Sequence, residues 1–408
     1  MWLAYLQKKL TVLAENRKYS SLSDEEYYKN AVVSKKELIS KLNKANYDNV
    51  ASKGVEIIDG IATFKDDKTV IVKTETGEIE LTGESIFVNV GTTPILPNIK
   101  GLKVGGRINT NETLLDLERL PKKPVIIGGG FIGLEFASNY SLFGSEVTIL
   151  NLADDILLNQ DDDVANAVKE NYESLGVKII NNASTKEFVE ESDKVIVKYE
   201  QAGQEKQIEA SDVLVAIGRR PNTDDLKLEN AGVEVDERGF IKVNKNLQTN
   251  KENIFALGDI NGGMQFTYIS LDDFRIMKSF LFDGGKYNLE QRKNVANSAF
   301  IYPTLSQVGL TQKKAKEQGY DVKVASMPAA SVPKSKVLGH PVGLYKAIVD
   351  FKADKILGAT LYGEQSHEVI NIISLAIDMG ATYQVLRDKI YTHPTMAEGL
   401  NDLFGMIK

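Results

Sequence analysis

Apolar residues near the start of the chain recur at the three- and four-residue spacing of a helix face, among them Leu3 and Leu10. A second helical pattern follows it and has Tyr28 on its apolar side. This pattern opens on Ser23, with Glu26 three positions later, which is the pair found in a reciprocal helix cap. The sequence therefore predicts two helices at this end of the chain.

The apolar pattern then shortens to runs typical of strands, rich in Val, Ile and Thr. Gly77 stands in a short turn between two of these runs and predicts a hairpin. Pro94, Pro97 and Pro121, with glycines between them, indicate a connection between domains. The predicted strands are 55–58, 61–64, 69–73, 78–81 and 86–91.

From residue 124 the pattern becomes strand, glycine loop, helix and second strand. In such a loop the first glycine makes the tight turn, the second lets the backbone approach a pyrophosphate, and the third packs helix on strand. The helix N-terminus adds unpaired N–H donors for the phosphates. A nicotinamide-dinucleotide-binding Rossmann unit is predicted from Gly128 to about Ile217. Its loop is Gly128, Gly129, Gly130, Phe131, Ile132 and Gly133.

The residue that ends the second strand of such a unit bears on the choice of cofactor. Asp or Glu at this position hydrogen-bonds the ribose 2′-OH of NAD, and this chain has Asn151 there. No arginine stands beside Asn151 to accept a 2′-phosphate, and Asp154 and Asp155 would repel one. We therefore expect NADH to be favoured over NADPH.

Composition narrows the class of protein. With 408 residues, 42% hydrophobic and 26% charged, the chain is typical of a soluble α/β protein of two or three domains. A net charge of −7 argues against nucleic-acid binding. No apolar run reaches the ~18 residues of a membrane span, and the start of the chain does not resemble a signal peptide, so we expect a cytoplasmic protein. The absence of cysteine excludes disulfides, thiolate metal sites and a thiol nucleophile, and no metal site is expected.

Four blocks along the chain share one resemblance. They are the glycine loop 128–133 and residues 212–222, 253–259 and 393–398. In this order they resemble the pyridine nucleotide–disulfide oxidoreductase family. Residues 261–273 and 303–311 make the resemblance closest to the bacterial hypothiocyanous acid reductases, which are relatives of mercuric reductase and dihydrolipoamide dehydrogenase.

The resemblance implies an α/β fold with two Rossmann-like domains, one for FAD and one for NAD(P), and an α+β C-terminal dimerisation domain. It implies FAD and NAD(P)H as cofactors, a homodimer formed through the C-terminal domain, and a small-molecule oxidant as substrate. The function implied is hydride transfer from NAD(P)H to flavin, then to a disulfide and to substrate. The predicted limits are 1–117 with 248–295 for the FAD domain, 118–247 for the NAD(P) domain, and 296–408 for dimerisation.

The resemblance also assigns roles to individual residues. Asp259 would hydrogen-bond the ribityl chain of FAD, and Gly218 would lie against the nicotinamide dinucleotide. His393 would be the acid–base residue, reaching the partner subunit's active site with Glu398 orienting it. Lys8 aligns with a lysine that contacts flavin. Without the family match, Asp259 would be interpreted as a turn cap and His393 as a helix-start residue.

Two features of the family are missing from the sequence. One is the βαβ unit that carries a glycine fingerprint for FAD, and the other is the Cys-x4-Cys redox pair. The FAD domain is therefore expected to lack its first βαβ unit. The chain is either a truncated copy, with residues up to about Gln7 out of register, or a repurposed protein that uses the NAD site without thiol chemistry; we favour truncation because no residue replaces the lost groups. We predict an impaired FAD-dependent NAD(P)H oxidoreductase, and the alternative is a catalytically inactive dimeric NAD-binding protein.

Overall fold

A computed structural model describes the protein from residue 10 to residue 408. Lys8, the predicted flavin contact, and most of the first predicted helix lie outside the described residues. Residues 10–15 are helical, as predicted for the end of that helix. The helices are α1 (Asp24–Ala51), α2 (Asn111–Leu114), α3 (Phe131–Leu142), α4 (Asp162–Ser174), α5 (Leu228–Ala231), α6 (Thr267–Phe282), α7 (Gln312–Glu317), α8 (Pro333–Val337), α9 (Ser366–Asp378), α10 (Tyr383–Arg387) and α11 (Gly399–Gly405).

Helix α1 begins where the capping pair predicts. The Ser23 amide donates to the Glu26 carboxylate at 3.1 Å, and the Glu26 amide donates back to the Ser23 hydroxyl at 3.3 Å. Tyr28, on the predicted apolar side, is fully buried. The predicted reciprocal cap is therefore confirmed.

The strands are short. Of the five strands predicted between residues 55 and 91, four are present, at 61–64, 69–74, 77–82 and 86–88. Residues 55–58 are an exception. Within residues 10–408 this short run pairs with no strand, and the prediction of a strand there is wrong. The strands are β1 (Ile61–Phe64), β2 (Thr69–Thr74), β3 (Gly77–Thr82), β4 (Ile86–Val88), β5 (Thr92–Pro94), β6 (Ile108–Asn109), β7 (Pro124–Ile127), β8 (Thr148–Leu150), β9 (Lys178–Ile180), β10 (Ala183–Glu190), β11 (Val195–Gln201), β12 (Gln204–Ala210), β13 (Asp212–Val215), β14 (Arg219–Pro221), β15 (Ile254–Ala256), β16 (Asn297–Ala299), β17 (Leu305–Gly309), β18 (Val322–Pro328), β19 (Leu344–Asp350) and β20 (Ile356–Tyr362).

One compact unit contains residues 34–95 and 218–292. Its sheets are the antiparallel β1-β2-β3, the parallel pair β15-β4 and the antiparallel pair β14-β5. The predicted hairpin is confirmed as β2-β3, with Gly77 opening the second strand opposite Thr74. Phe64, Val88 and Ile254 belong to the apolar core of this unit.

The second compact unit contains residues 10–33, 96–217 and 293–408. It has a five-stranded parallel sheet in the order β6-β13-β7-β8-β9, which places the strand of the glycine loop in the centre. It also has the three-stranded sheet β10-β11-β12 and the five-stranded antiparallel sheet β16-β17-β20-β19-β18. The predicted domain limits divide the chain differently from these compact units and stay a prediction.

Among residues 10–408, no helix is both long enough and apolar enough to cross a membrane.

Candidate functional site

The glycine loop begins at the end of β7, the central strand of the parallel sheet. All four residues of β7 are buried, as expected for a strand with parallel neighbours on both sides. Gly128 has φ +113°, and a Cβ there would lie 2.5 Å from the carbonyl oxygen of Ala216, just after β13. Only glycine can make this turn between the carboxyl ends of two adjacent strands, where open α/β sheets bind their ligands.

The other glycines of the loop differ in what surrounds them. A Cβ on the buried Gly133 would overlap the carbonyl oxygen of Gly128, so glycine is required for α3 to pack against the loop. Gly130 is exposed, directly precedes α3, and has no atom within 4 Å of the position of a Cβ. Phe131 is 37% exposed and Ile132 half-buried on the first turn. The helix N-terminus thus has open space beside it, which fits the pyrophosphate of a dinucleotide.

Asn151 lies beside this loop but is engaged in its own segment. A Cβ on Gly129 would lie 3.0 Å from the Asn151 side-chain carbon. The Asn151 amide nitrogen lies 3.1 Å from the carbonyl oxygen of Asp155 and 2.9 Å from the Asn181 side-chain oxygen. Asn151 therefore holds the segment that follows β8, and its role as a ribose contact stays a prediction.

Two acidic residues follow Asn151 and have different surroundings. Asp155 accepts a 2.6 Å hydrogen bond from the Lys169 ammonium and another from the Ile156 amide. Asp154 is exposed, and no hydrogen bond or ion pair to its side chain is described within residues 10–408. The uncompensated negative charge at this end of β8 is therefore that of Asp154.

Glu135 was not singled out from the sequence. It lies on α3 between buried apolar residues, and its carboxylate accepts a hydrogen bond from the Phe300 amide at 2.7 Å. Burial raises the pKa of Glu135 to about 7, against the smaller opposing effect of the hydrogen bond from Phe300. Carboxyl groups with perturbed pKa values are enriched at functional sites. The signal in the sequence that could have identified Glu135 was a single acidic residue in an otherwise apolar stretch.

Asp259 and Gly218 both belong to the unit of residues 34–95 and 218–292. Asp259 lies in a 3-10 turn, Gly258–Asn261, immediately after β15, and its Oδ2 accepts from the Thr92 hydroxyl at 3.2 Å. No described residue hydrogen-bonds its other oxygen, so this acceptor suits a ribityl hydroxyl. Gly218 has φ +137° and directly precedes β14.

Arg219 is a second residue that sequence reasoning missed. Its Nε donates to the Thr92 hydroxyl at 2.8 Å, and its Nη2 donates to the Thr92 carbonyl oxygen at 2.6 Å. Because the Thr92 hydroxyl accepts from Arg219, its own proton is directed at Asp259. The signal in the sequence that could have identified Arg219 was its position directly after Gly218, a predicted cofactor contact.

His393 and Glu398 lie together, as their predicted roles require. The His393 Nδ1 is 2.7 Å from the Glu398 Oε2, and Glu398 Oε1 accepts from the Thr395 amide at 3.0 Å. The hydrogen bond with His393 lowers the pKa of Glu398, as does that from Thr395, while desolvation opposes both. The His393 side chain is 69% exposed. This arrangement leaves Nε2 of an exposed imidazole available for proton transfer. No group of three or more metal-ligating side chains occurs within residues 10–408.

Comparison with known families and structures gives a consistent result. Residues 5–273 match the family described as pyridine nucleotide-disulphide oxidoreductase, and residues 295–404 match the dimerisation domain of the same family. The chain is 42% identical over 379 residues to RclA of Escherichia coli strain K12, described as a probable pyridine nucleotide-disulfide oxidoreductase, covering 93% of this chain and 85% of that protein. It is 33% identical to dihydrolipoyl dehydrogenase of Bacillus subtilis strain 168, covering 89% and 77% of the two chains.

Among solved structures, the HOCl-induced flavoprotein disulfide reductase RclA from Escherichia coli matches with a TM-score of 0.93 and 40% identity. The match covers 99% of this chain and 89% of RclA. The predicted family and the predicted fold class, two Rossmann-like domains with a C-terminal dimerisation domain, are therefore confirmed.

Proposed function

Because the chain belongs to the pyridine nucleotide-disulphide oxidoreductase family, whose members are flavin-dependent enzymes, we propose that it binds NADH and oxidises it with the help of FAD. The observation that carries this proposal is the glycine loop of the parallel sheet. Its first and third glycines are sterically required, whereas Gly130 leaves open space at the N-terminus of α3. Open space at that position serves a ligand rather than packing.

Each residue of the candidate site has a part in this function. The N-terminus of α3 binds the pyrophosphate of the nicotinamide cofactor. Asp259, held by Thr92, accepts a hydrogen bond from a ribityl hydroxyl of FAD. Bound FAD would supply the hydride acceptor. Glu398 orients His393 so that Nε2 can hold or release a proton.

The acceptor of the electrons is the point where this chain departs from its relatives. It contains no cysteine, so it has no thiol that could attack a disulfide-like or hypothiocyanous acid substrate. We therefore expect turnover of NADH with oxygen or a quinone, in the manner of a diaphorase. The alternative function is that of an inactive NAD-binding protein. It is favoured by the pairing of β4, within residues 10–408, with β15 alone in the unit that carries Asp259.

Steady-state NADH oxidation by the full chain tests this proposal. The assay is run with and without added FAD, against oxygen, a quinone and hypothiocyanous acid. We expect FAD-dependent turnover with the quinone and only the uncatalysed rate with hypothiocyanous acid. Failure to retain flavin absorbance or to oxidise NADH would favour the inactive NAD-binding protein, and robust turnover of hypothiocyanous acid would contradict the role assigned to the missing thiols.

Preference for NADH rests on Asp154. Because Lys169 compensates Asp155, Asp154 is the group that would repel a 2′-phosphate. We expect Asp154→Asn to tighten NADPH binding about tenfold and to leave NADH binding nearly unchanged. A tenfold change corresponds to the removal of a charge repulsion of ~1.4 kcal/mol. Titration of NADH and NADPH into the wild type and Asp154→Asn measures the ratio of the two dissociation constants. Asp162→Asn, in the first turn of α4, is the control and should leave this ratio unchanged.

We also infer that this chain forms the homodimer that its family's dimerisation domain serves. The C-terminal part exposes Met379 and Ile390, at 76% and 94%, as well as His393. Exposed apolar side chains suit such an interface, and the role proposed for His393 requires a partner subunit. A monomeric mass by light scattering at micromolar concentration would refute it.

A further inference from the structure

A buried carboxylate lies behind the turn that carries Asp259. Asp273, on α6, has no solvent exposure. Its Oδ2 accepts a 2.6 Å hydrogen bond from the Gly258 amide and a 3.3 Å hydrogen bond from the Asn261 side chain. These two donors are the first and last residues of the 3-10 turn, so Asp273 joins both ends of the turn to α6.

A buried charge of this kind must be compensated, and Arg292 does so. Its Nη2 donates to Asp273 Oδ1, and its Nε donates to Asp272 Oδ2 at 2.7 Å. The Tyr287 hydroxyl donates to Asp272 as well, at 3.0 Å. Hydrogen bonds between ions are shorter and stronger than neutral ones, and a buried carboxylate that lost its cation would be costly. Arg292 therefore compensates the charge of Asp273 and holds its carboxylate in place.

The turn itself has little freedom to adopt another conformation. Gly258 has φ +71°, and a Cβ there would lie 2.8 Å from the Asn89 side-chain oxygen and 3.0 Å from the Ser270 hydroxyl. Asp259 is the next residue, and its carboxylate is fixed from the other side by the Thr92 hydroxyl. The direction in which Asp259 presents its free oxygen thus depends on the backbone that Asp273 holds.

We propose that Asp273 is a positioning residue, which fixes the Gly258–Asn261 turn so that Asp259 meets a ribityl hydroxyl of FAD. This role rests on the proposed function of Asp259. Asp272 provides a matched comparison, because it is the adjacent residue and shares Arg292, yet no hydrogen bond joins its described side chain to the turn.

The test uses the full chain with Asp273→Asn, Asp272→Asn and Asp259→Asn, and with the double variant of Asp259 and Asp273. Two quantities are measured: hydrogen exchange of the Gly258 and Asn261 amides, and the dissociation constant of FAD from flavin fluorescence. We expect Asp273→Asn to speed exchange at Gly258 about tenfold and to weaken FAD binding about tenfold, because a neutral acceptor is weaker and Arg292 loses its ionised partner. Asp272→Asn changes both less than twofold.

The double variant separates positioning from general destabilisation. If Asp273 acts through Asp259, then Asp273→Asn has no further effect on FAD binding once Asp259 is Asn. Additive losses, or equal effects of Asp272→Asn and Asp273→Asn on exchange, would overturn the proposal. If the wild type binds no FAD, the proposed function fails, and the exchange measurement alone decides whether Asp273 fixes the turn.

Discussion

The chain contains two parallel strands that end in the same way but lie in different surroundings. In β13 the strand leads to Gly218 and then to Pro221, and in β4 it leads to Gly91 and then to Pro94. Both glycines have positive φ, +137° and +70°. However, β13 has parallel neighbours on both sides, β6 and β7, whereas β4 pairs within residues 10–408 with β15 alone.

This difference shows what a local sequence pattern does and does not determine. The Ile86 amide donates to Asn253, and the Val88 carbonyl accepts from Leu257, so both point toward β15. The amide and carbonyl of Phe87 then point the opposite way, and the Phe87 side chain is 46% exposed. The glycine and proline fix the turn after the strand, but a dinucleotide site also needs the neighbouring strand with its glycine loop, which β13 has in β7.

Hydrogen exchange would sharpen the comparison most. In β13 the Val213 amide donates to the Arg107 carbonyl at 2.8 Å, within a buried strand. We expect the Phe87 amide to exchange about a thousand times faster than that of Val213, because no strand among residues 10–408 covers that edge of β4. Equal protection of the two amides would mean that β4 has a further partner, for instance in an oligomer, and dilution would then reveal it.

Substitutions in the glycine loop would test the β13 side of the comparison, where the neighbouring strand β7 carries the loop. Gly130→Val meets no atom in the fold, so the variant should melt at the wild-type temperature and yet bind NADH about a hundredfold more weakly, since the side chain occupies the pyrophosphate space. Gly133→Val instead meets the Gly128 carbonyl and should lower the melting temperature. Calorimetry that gives equal NADH affinity for Gly130→Val and wild type would contradict the assigned site.

The periodicity of apolar residues and the glycine motif were sufficient to predict, from the sequence, the strand, glycine loop, helix and second strand that begin at residue 124. The spacing of Gly128, Gly130 and Gly133 is local. Glycine is sterically required for the turn at Gly128 and for helix packing at Gly133, whereas the approach of a pyrophosphate at Gly130 stays a prediction. Contacts between residues far apart in sequence were not predictable. Arg219 with Thr92, and Glu135 with Phe300, are joined across 127 and 165 positions, so no sequence period reports them. The pairing of β5 with β14 was missed for the same reason.

Glu135, on α3, should make the free energy of unfolding depend on pH. Its pKa is raised to about 7 from an ordinary 4.5, so the native state holds a proton that the unfolded state releases between these values. The stabilisation is present below pH 4.5 and is lost as the pH rises through 7. Glu135→Gln mimics the protonated form. Its free energy of unfolding, relative to that of the wild type, should therefore rise by about 3 kcal/mol between pH 4.5 and 8.

Denaturant unfolding at several pH values measures this effect. Glu146→Gln, at a 75% exposed position, is the control and should show a difference from wild type that does not change with pH. A difference for Glu135→Gln that is also constant with pH would show that Glu135 is ionised throughout.

The smallest expected effect concerns His393 and follows from where the electrons can go. Glu398 accepts the hydrogen bond from His393 Nδ1, and because this bond lowers the pKa of Glu398, the carboxylate stays ionised at neutral pH and keeps the imidazole oriented. The role predicted for His393 from the family resemblance is to transfer a proton to or from a thiol, and this chain has no cysteine. Hydride transfer from NADH to flavin needs no proton at Nε2.

We therefore expect His393→Ala to change NADH–quinone turnover by less than about twofold, far below the 10²–10⁴ of a general acid–base group. Glu398→Gln should behave in the same way. A loss of about a hundredfold in kcat for His393→Ala, with unchanged KM and oligomeric state, would show that His393 takes part in a proton transfer that does not require a thiol.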